Sequence, residues 1–433
     1  MKPCILLTLL FAAAAGIGVD GQASRPLLMG LNADAFFADT ALHEINLVIN
    51  SRDWQALKDN YLLDTYYPAD FRWRDQTLRN VGIRSRGNAS RSAIKPGLRV
   101  DFDRYTTDQK FLGLKSFILR NNTQDPSSLH ERLSMALFRR LGLLASREAH
   151  ARLFVNNAYV GLYTIVESVD KLFLKRALKE DNGHLFKYEW AAPYYFEDRG
   201  SQPESYVPLP FRPETHEDDP RPEFIVQLVQ AINETNDAVF RTGMAEYLDL
   251  RTFVRHVAVE MFLADNDNVL GDFGMANFYL YRFQNTKMFT ILAWDKSNAF
   301  RHHAVSIWHN ITDVPSSQRN RLMARVLSFR DLYDLYLDTL MECVRSVSEP
   351  TAGSTDGRGW LEREVERQYT QIRDAVLSDP EKPYSNDDFE RAVNDVRAFA
   401  RLRSDFVTRE VSAARAQSLQ PARKAAGPSP RRP

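Results

Sequence analysis

Apolar and polar residues alternate from Glu44 through Ile49, the two-residue period of a strand with one buried face, and Trp54 to Leu57 reads as a short helical turn after it. A second strand runs from Asn80 into a basic, glycine-containing loop that ends at Asn88. Gly97 to Phe102 returns as a third. Leu129, Leu133, Leu137 and Leu141 recur at helical spacing behind Ser127 or Ser128, a cap-forming pair, so a helix is predicted there, ending at Gly142. Ala151 to Val155 and Gly161 to Glu167 flank the turn-forming Asn156 and Asn157 and predict a hairpin, and a helix follows over 169–177. Prolines and acidic residues then mark 198–222 as a surface excursion. Helical periodicity returns over 224–232 and 250–263. Asn277 to Tyr281 and Met288 to Trp294 read as paired strands about a turn at 284–286, and from about 318 to 413 the pattern is helical.

This order predicts an α+β chain, β-rich first and helical afterwards. A length of 433 residues is more than one core usually serves, so two lobes sharing a cleft are expected. The boundary is placed near residue 178, giving a β-rich lobe over about 43–178 and a mostly helical lobe over about 179–415.

Composition adds limits. With 56 basic and 56 acidic residues the chain has no net charge, which argues against nucleic-acid binding driven by bulk charge. Lys2, the apolar run from Ile5 to Ile17 and the small-residue exit at Gly21–Ala23 predict a secretory signal over 1–23, too short in its apolar part to span a membrane. A linker is expected over 24–42 and a basic disordered tail over 416–433. Cys4 falls in the signal, so Cys343 alone remains after cleavage and no internal disulfide is expected.

Several familiar spellings fail on context. Gly16–Gly21 matches a dinucleotide fingerprint but follows no strand. Asp265–Asn268 resembles the start of a calcium loop, yet Leu270 and Ala276 stand where that loop needs Gly and Glu. No histidine or cysteine pair has zinc-site spacing. What remains is Gly271 to Tyr281 followed by Ile291 to Asp295. Phosphoryl transfer to a hydroxyl needs one carboxylate to orient that hydroxyl and separate oxygen ligands for the metal that neutralises the phosphates. Asp272 and Asn277 stand five positions apart, the spacing of a kinase catalytic loop, and Asp295 ends an apolar strand. Asp272 is therefore read as the catalytic carboxylate, with Asp295 and Asn277 as metal ligands. Arg84, Arg86, Gly87 and Asn88, with Lys95 nearby, are read as a phosphate cradle. Glu131 is a candidate partner for Lys95, and Glu167 ends a strand at the expected lobe junction.

At these residues the chain resembles the CotH kinase family, the kinases related to spore coat protein H. The pieces that carry the resemblance come in order: Glu44 to Leu47 with Asp53 and Trp54, Val81 to Asn88, Lys95 to Phe102, Leu119 to Asn122 with Asp125 and Ser127, Glu131 to Leu133, Gly161 to Tyr163 with Glu167, Asn277 to Tyr281, and Trp294 with Asp295. The resemblance implies an atypical protein-kinase-like, two-lobed fold using ATP with magnesium or manganese. It also implies phosphorylation of hydroxyl side chains on exported or surface proteins. It puts the catalytic aspartate at Asp272 and the metal-binding aspartate at Asp295, with Lys95 and the 84–88 loop on the nucleotide side. Where the family often has a second acid after Trp-Asp, this chain has Ser297. That departure supports an alternative, a surface or structural protein that keeps the fold with weak or no catalysis. The expected partners are ATP and a protein substrate, with no nucleic acid and no membrane span in a mature, monomeric, secreted or envelope chain.

Overall fold

The computed structural model describes residues 32–234, 236–350 and 356–419. The expected signal and the end of the expected tail, 420–433, lie outside the described residues. The first part of the chain forms α1 (Ala33–Phe36), β1 (His43–Ile49), α2 (Ser51–Asp59), β2 (Tyr67–Trp73), β3 (Gln76–Arg86), β4 (Gly97–Asp101), β5 (Ser116–Arg120), α3 (His130–Arg140), β6 (Glu148–Val155) and β7 (Ala158–Glu167). It continues with α4 (Lys171–Leu178), β8 (His184–Tyr188), β9 (Phe211–Pro213), α5 (Glu223–Asn233), α6 (Asp237–Tyr247), α7 (Leu250–Phe262), β10 (Phe278–Arg282) and β11 (Phe289–Ala293). Last come α8 (Arg321–Val326), α9 (Arg330–Ser348), α10 (Trp360–Leu377) and α11 (Asn386–Leu419).

Seven strands close into a barrel in the order β1-β2-β3-β4-β5-β7-β6. The closing contact is the parallel pairing of β1 with β6, which puts Ile45 opposite Leu153 and Leu47 opposite Val155. Closure leaves no strand edge to aggregate. The alternation read over 44–49 is realised: His43, Ile45, Leu47 and Ile49 all point inward. The interior is plugged by a residue expected to lie in the linker. Helix α1 drives Phe36 among Phe71, Trp73, Phe111 and Phe117, with ring centroids 5.0–6.3 Å away. Truncating such a fully buried ring costs about 3–5 kcal/mol, so residues 33–37 belong to the barrel core.

A second, antiparallel sheet has the order β11-β10-β8-β9. Helices α3 and α5–α11 form one large apolar core that reaches this sheet through Phe186, Phe278, Leu280 and Ile291. A smaller cluster joins the barrel to the sheet: Ile118 of β5 and Val166 of β7 pack with Leu185, Tyr279, Leu292 and Trp294. The candidate site lies along that junction. The chain is thus α+β as expected, with the β-rich region closed on itself. Helix α11 runs through Leu419, so residues 416–419 of the expected tail are helical.

Candidate active site

Strand β3 brings Arg84 and Arg86 to its C-terminal end and hands over to a loop at Gly87. That residue has φ +125°, a conformation suited to glycine, and an added Cβ would come within 2.6 Å of Ser90 Oγ. Arg86, Gly87, Asn88, Ala89 and Ser90 form one wall of a cavity of about 340 Å³. The facing wall comes from the segment between α7 and β10 and from the end of β11: Asp267, Ala276, Asn277, Trp294, Asp295 and Ser297. Trp190 and Phe273 stand at its rim, tied together by the Trp190 indole N–H, which donates to the Phe273 carbonyl at 2.8 Å.

Asp295 stands two residues beyond the end of β11 and has φ +46°. Arg120, at the end of β5, approaches it at 2.6 Å, and the Ser297 hydroxyl donates to it at 2.9 Å; both contacts fall on Oδ1. Although burial opposes ionisation, Arg120 outweighs it and, with Arg86, holds the Asp295 carboxyl well below the usual carboxylate range. The second guanidinium nitrogen of Arg120 lies 3.1 Å from Glu131, in the first turn of α3. Glu131 also accepts from the backbone N–H of Lys296. Arg86 lies over the Trp294 ring with its guanidinium carbon 5.8 Å from the centroid, and burial together with Arg120 pushes it down to about 10, still a cation at neutral pH.

Asn277, with φ +57°, donates its amide to the Asp267 carbonyl at 2.9 Å and to Asp267 Oδ2 at 2.8 Å. The Asn277 side-chain oxygen is thus left to serve as an acceptor or ligand. Asn298 donates to the same Asp267 oxygen at 3.2 Å. Burial, then the charge of Asp295, raise the Asp267 carboxyl above its ordinary value. Asp267, Asn277 and Asp295 therefore meet in one cavity, with Arg86 on the facing wall and Arg120 against Asp295.

Other expected residues fall elsewhere. Asp272 does not line this cavity. Its carboxylate accepts from Asn266 at 3.0 Å and Asn310 at 2.9 Å and lies 2.7 Å from His309, contacts that lower its pKa despite the opposing cost of burial. The pairing expected between Lys95 and Glu131 is not made. Lys95 is buried and contacts Asp379 at 2.6 Å, while Glu131 contacts Arg120. Glu167 binds Arg147 at 2.6 Å and Arg176 at 2.7 Å, away from the cavity. Arg84 lines a neighbouring, larger cavity of about 660 Å³ together with Arg99, Asp170, Arg212, Glu214 and Tyr279. The two cavities are separated by little: Tyr279 and Trp294 meet edge to face at 5.3 Å.

Two residues of this site escaped the reading of the sequence as chemistry. Arg120 was visible only inside the Leu119 to Asn122 block. Asp267 belongs to the Asp265–Asn268 run that fails as a calcium loop, and its proximity to Asn277 depends on how that segment folds back. Among the described residues no cluster of three or more His, Cys, Asp or Glu side chains is arranged to hold a metal. A hard cation here would share Asp295, Asn277 or Asp267 oxygens with ligands brought by a polyphosphate, and the donor set is of the oxygen type such cations take. No helix among the described residues is long and apolar enough to cross a membrane.

The chain is an α+β protein whose candidate site groups a carboxylate, an amide and a guanidinium–glutamate pair beside a glycine-containing loop. The family described as CotH kinase protein matches residues 83–407, and the chain belongs to that family. Inner spore coat protein H of Bacillus subtilis (strain 168) is 23% identical over 372 residues, spanning 84% of this chain and 96% of that protein. Among solved structures, the Helicobacter pylori proinflammatory kinase CtkA aligns over 75% of this chain and 95% of its own, at 12% identity and a TM-score of 0.27.

Proposed function

We propose that this chain is an ATP-dependent phosphotransferase that moves the γ-phosphoryl group to a hydroxyl side chain of an exported or surface protein. The observation that carries the reading is the meeting of Asp267, Asn277 and Asp295 with the Arg86–Ser90 loop in one cavity, backed by the Arg120–Glu131 pair. In this reading the barrel and the helical part, about 43–178 and 179–415, act as two lobes about the cleft. Asp267 takes the hydroxyl-orienting role first assigned to Asp272, because it lies in the cavity and its raised pKa suits a group that accepts a proton. Asp295 and Asn277 hold a magnesium or manganese ion, which neutralises charge on the phosphates. Arg120, kept in place by Glu131, and Arg86 contact phosphate oxygens, as do the amides of Gly87 and Asn88. Arg84 lies toward the larger cavity, of a size to take the nucleoside. Lys95 and Glu167 act on this site only through other residues.

Similarity to a spore coat protein supports an envelope or extracellular setting. A second reading, a surface or structural protein with weak catalysis, is favoured by one observation: Asp295 is already neutralised by Arg120, and Ser297 supplies no second carboxylate. Incorporation of labelled γ-phosphate into the purified chain and a generic acceptor, with each metal, separates the two. Labelling abolished by Asp295→Ala supports transfer. A folded wild type that labels nothing with either metal supports the structural reading.

A further inference from the structure

Lys95 and the Gly161–Tyr163 stretch, both singled out in the sequence, have no place inside the cavity, yet they meet each other at a third, distant segment. Lys95 Nζ reaches Asp379, in the connection between α10 and α11, at 2.6 Å, with both side chains 1% exposed. The same Asp379 oxygen accepts the backbone N–H of Leu162 at 2.9 Å, and the other accepts that of Glu381 at 3.0 Å. Gly161 makes the approach possible: its φ is +140°, and a Cβ there would stand 2.5–2.7 Å from the Asp379 carboxylate. Only a residue without a side chain leaves room for it. Tyr163 completes the contact. Its hydroxyl donates to the Pro96 carbonyl at 3.1 Å, and its ring lies 5.2 Å from Lys95 Nζ.

Lys95 is the last anchored side chain of the loop that begins at Arg86. The side-chain amide of Asn121, beside Arg120, binds the Ser90 and Lys95 carbonyls at 2.8 and 2.7 Å and so closes the loop from the β5 side. Asp379 closes it from the C-terminal helices. Burying an ion pair this deeply costs desolvation that a surface lysine would avoid, and the contact joins residues 284 positions apart. Such a pair is a means of setting geometry.

We propose that Asp379 is a positioning residue: through Lys95 it ties the α10–α11 connection to the 86–95 loop and holds that loop in its nucleotide-binding form. Its consequence for nucleotide binding rests on the phosphotransferase reading; the tie to the loop does not. A preorganised loop binds without losing the entropy of ordering itself. The C-terminal helices are then part of the nucleotide site, although none of their residues lines the smaller cavity.

The test pairs hydrogen–deuterium exchange with binding of the non-hydrolysable ATP analogue AMP-PNP in magnesium, on the full chain. Asp379→Asn is compared with wild type. The Lys95→Met/Asp379→Asn double variant, which leaves no unpaired buried charge, covers the case in which the single variant fails to fold. Faster exchange over 86–96 with unchanged exchange over 67–73 is expected. AMP-PNP affinity should fall roughly tenfold to a hundredfold, the scale on which ~1 Å misplacement of a binding group acts. Nucleotide KM should rise more than kcat falls. Unchanged exchange over 86–96 overturns the proposal, as does a loosened loop that binds AMP-PNP as tightly as wild type. A loosened loop in a protein whose wild type binds no AMP-PNP keeps the tie and removes the nucleotide reading.

Discussion

Asp295 and Lys296 are consecutive residues that turn opposite ways, and the two charged groups they join differ in what they leave open. Asp295 enters the cavity, is 22% exposed as a side chain, and receives Arg120 and Ser297 on one oxygen. Lys296 turns inward and is sealed, with its ammonium 2.6 Å from Glu260 and 3.2 Å from Asp265, all three effectively without exposure; His256 closes the group by contacting Glu260 at 3.0 Å. The left-handed backbone at Asp295 is the local device that separates them. A charge paired within a dry interior serves the fold, because nothing can reach it without unfolding. A charge that lines a cavity is available to a ligand.

The largest expected effect breaks the sealed group. Lys296→Met strands Glu260 and Asp265 as buried carboxylates and is expected to cost about 3–5 kcal/mol, read from urea unfolding. Asp295→Ala, one residue away, is expected to cost clearly less stability and to remove phosphate transfer. Next comes the assignment of the hydroxyl-orienting group. Asp267→Asn is expected to lower labelled-phosphate transfer by about 10²- to 10⁴-fold, the usual range for a positioned acid–base group, whereas Asp272→Asn stays near wild type. The reverse result would return the role to Asp272.

A smaller effect distinguishes the two carboxylates that share Lys296. One ammonium cannot fully compensate two buried acids, so Glu260 is held below its ordinary value while burial pushes Asp265 up to about 7. A carboxyl raised in the folded state takes up its proton more readily there than in the unfolded chain. Its contribution to stability is complete below about pH 4 and is lost as pH rises through about 7. Between pH 5 and 7 the urea midpoint of wild type is therefore expected to fall relative to that of Asp265→Asn as pH rises; parallel midpoints would refute it. The smallest effect concerns the departure at Ser297. Ser297→Asp removes the hydroxyl that donates to Asp295 and adds a carboxylate to the cavity wall. Less manganese should then be needed for half-maximal thermal stabilisation, at a slight loss of stability without metal.

Periodicity made much of the fold legible. The 250–263 and 224–232 helices and the hairpin about Asn156 and Asn157 are found within one to three residues of their expected ends. Strand β5 left no such mark, since all five of its residues are buried and it shows no alternation. Helix α1 was too short to show a period, and Phe36 read as linker until the barrel closed around it. In the candidate site, Asp295 and Asn277 were legible because each adjoins one of two apolar runs that pair about a turn. Asp267 was not, because its place in the cavity depends on the path of the 265–277 segment. Arg120 was hidden because the end of a fully buried strand gives no sign of which face meets the cleft.

What the amino-acid order determined alone is local: where strands and helices run, which faces are apolar, where the glycine-containing loop and the acid-bearing strand end lie. Barrel closure and the choice of partner for each charge were decided only in three dimensions. Lys95 finds Asp379 rather than Glu131, and Glu131 finds Arg120. The reason is physical. Side-chain period is fixed by backbone geometry over a few residues, whereas an ion pair depends on distance in space and on the water removed around it, and the fold sets both, whether the partners stand close in the chain, as Arg120 and Glu131 do, or 284 positions apart, as Lys95 and Asp379 do.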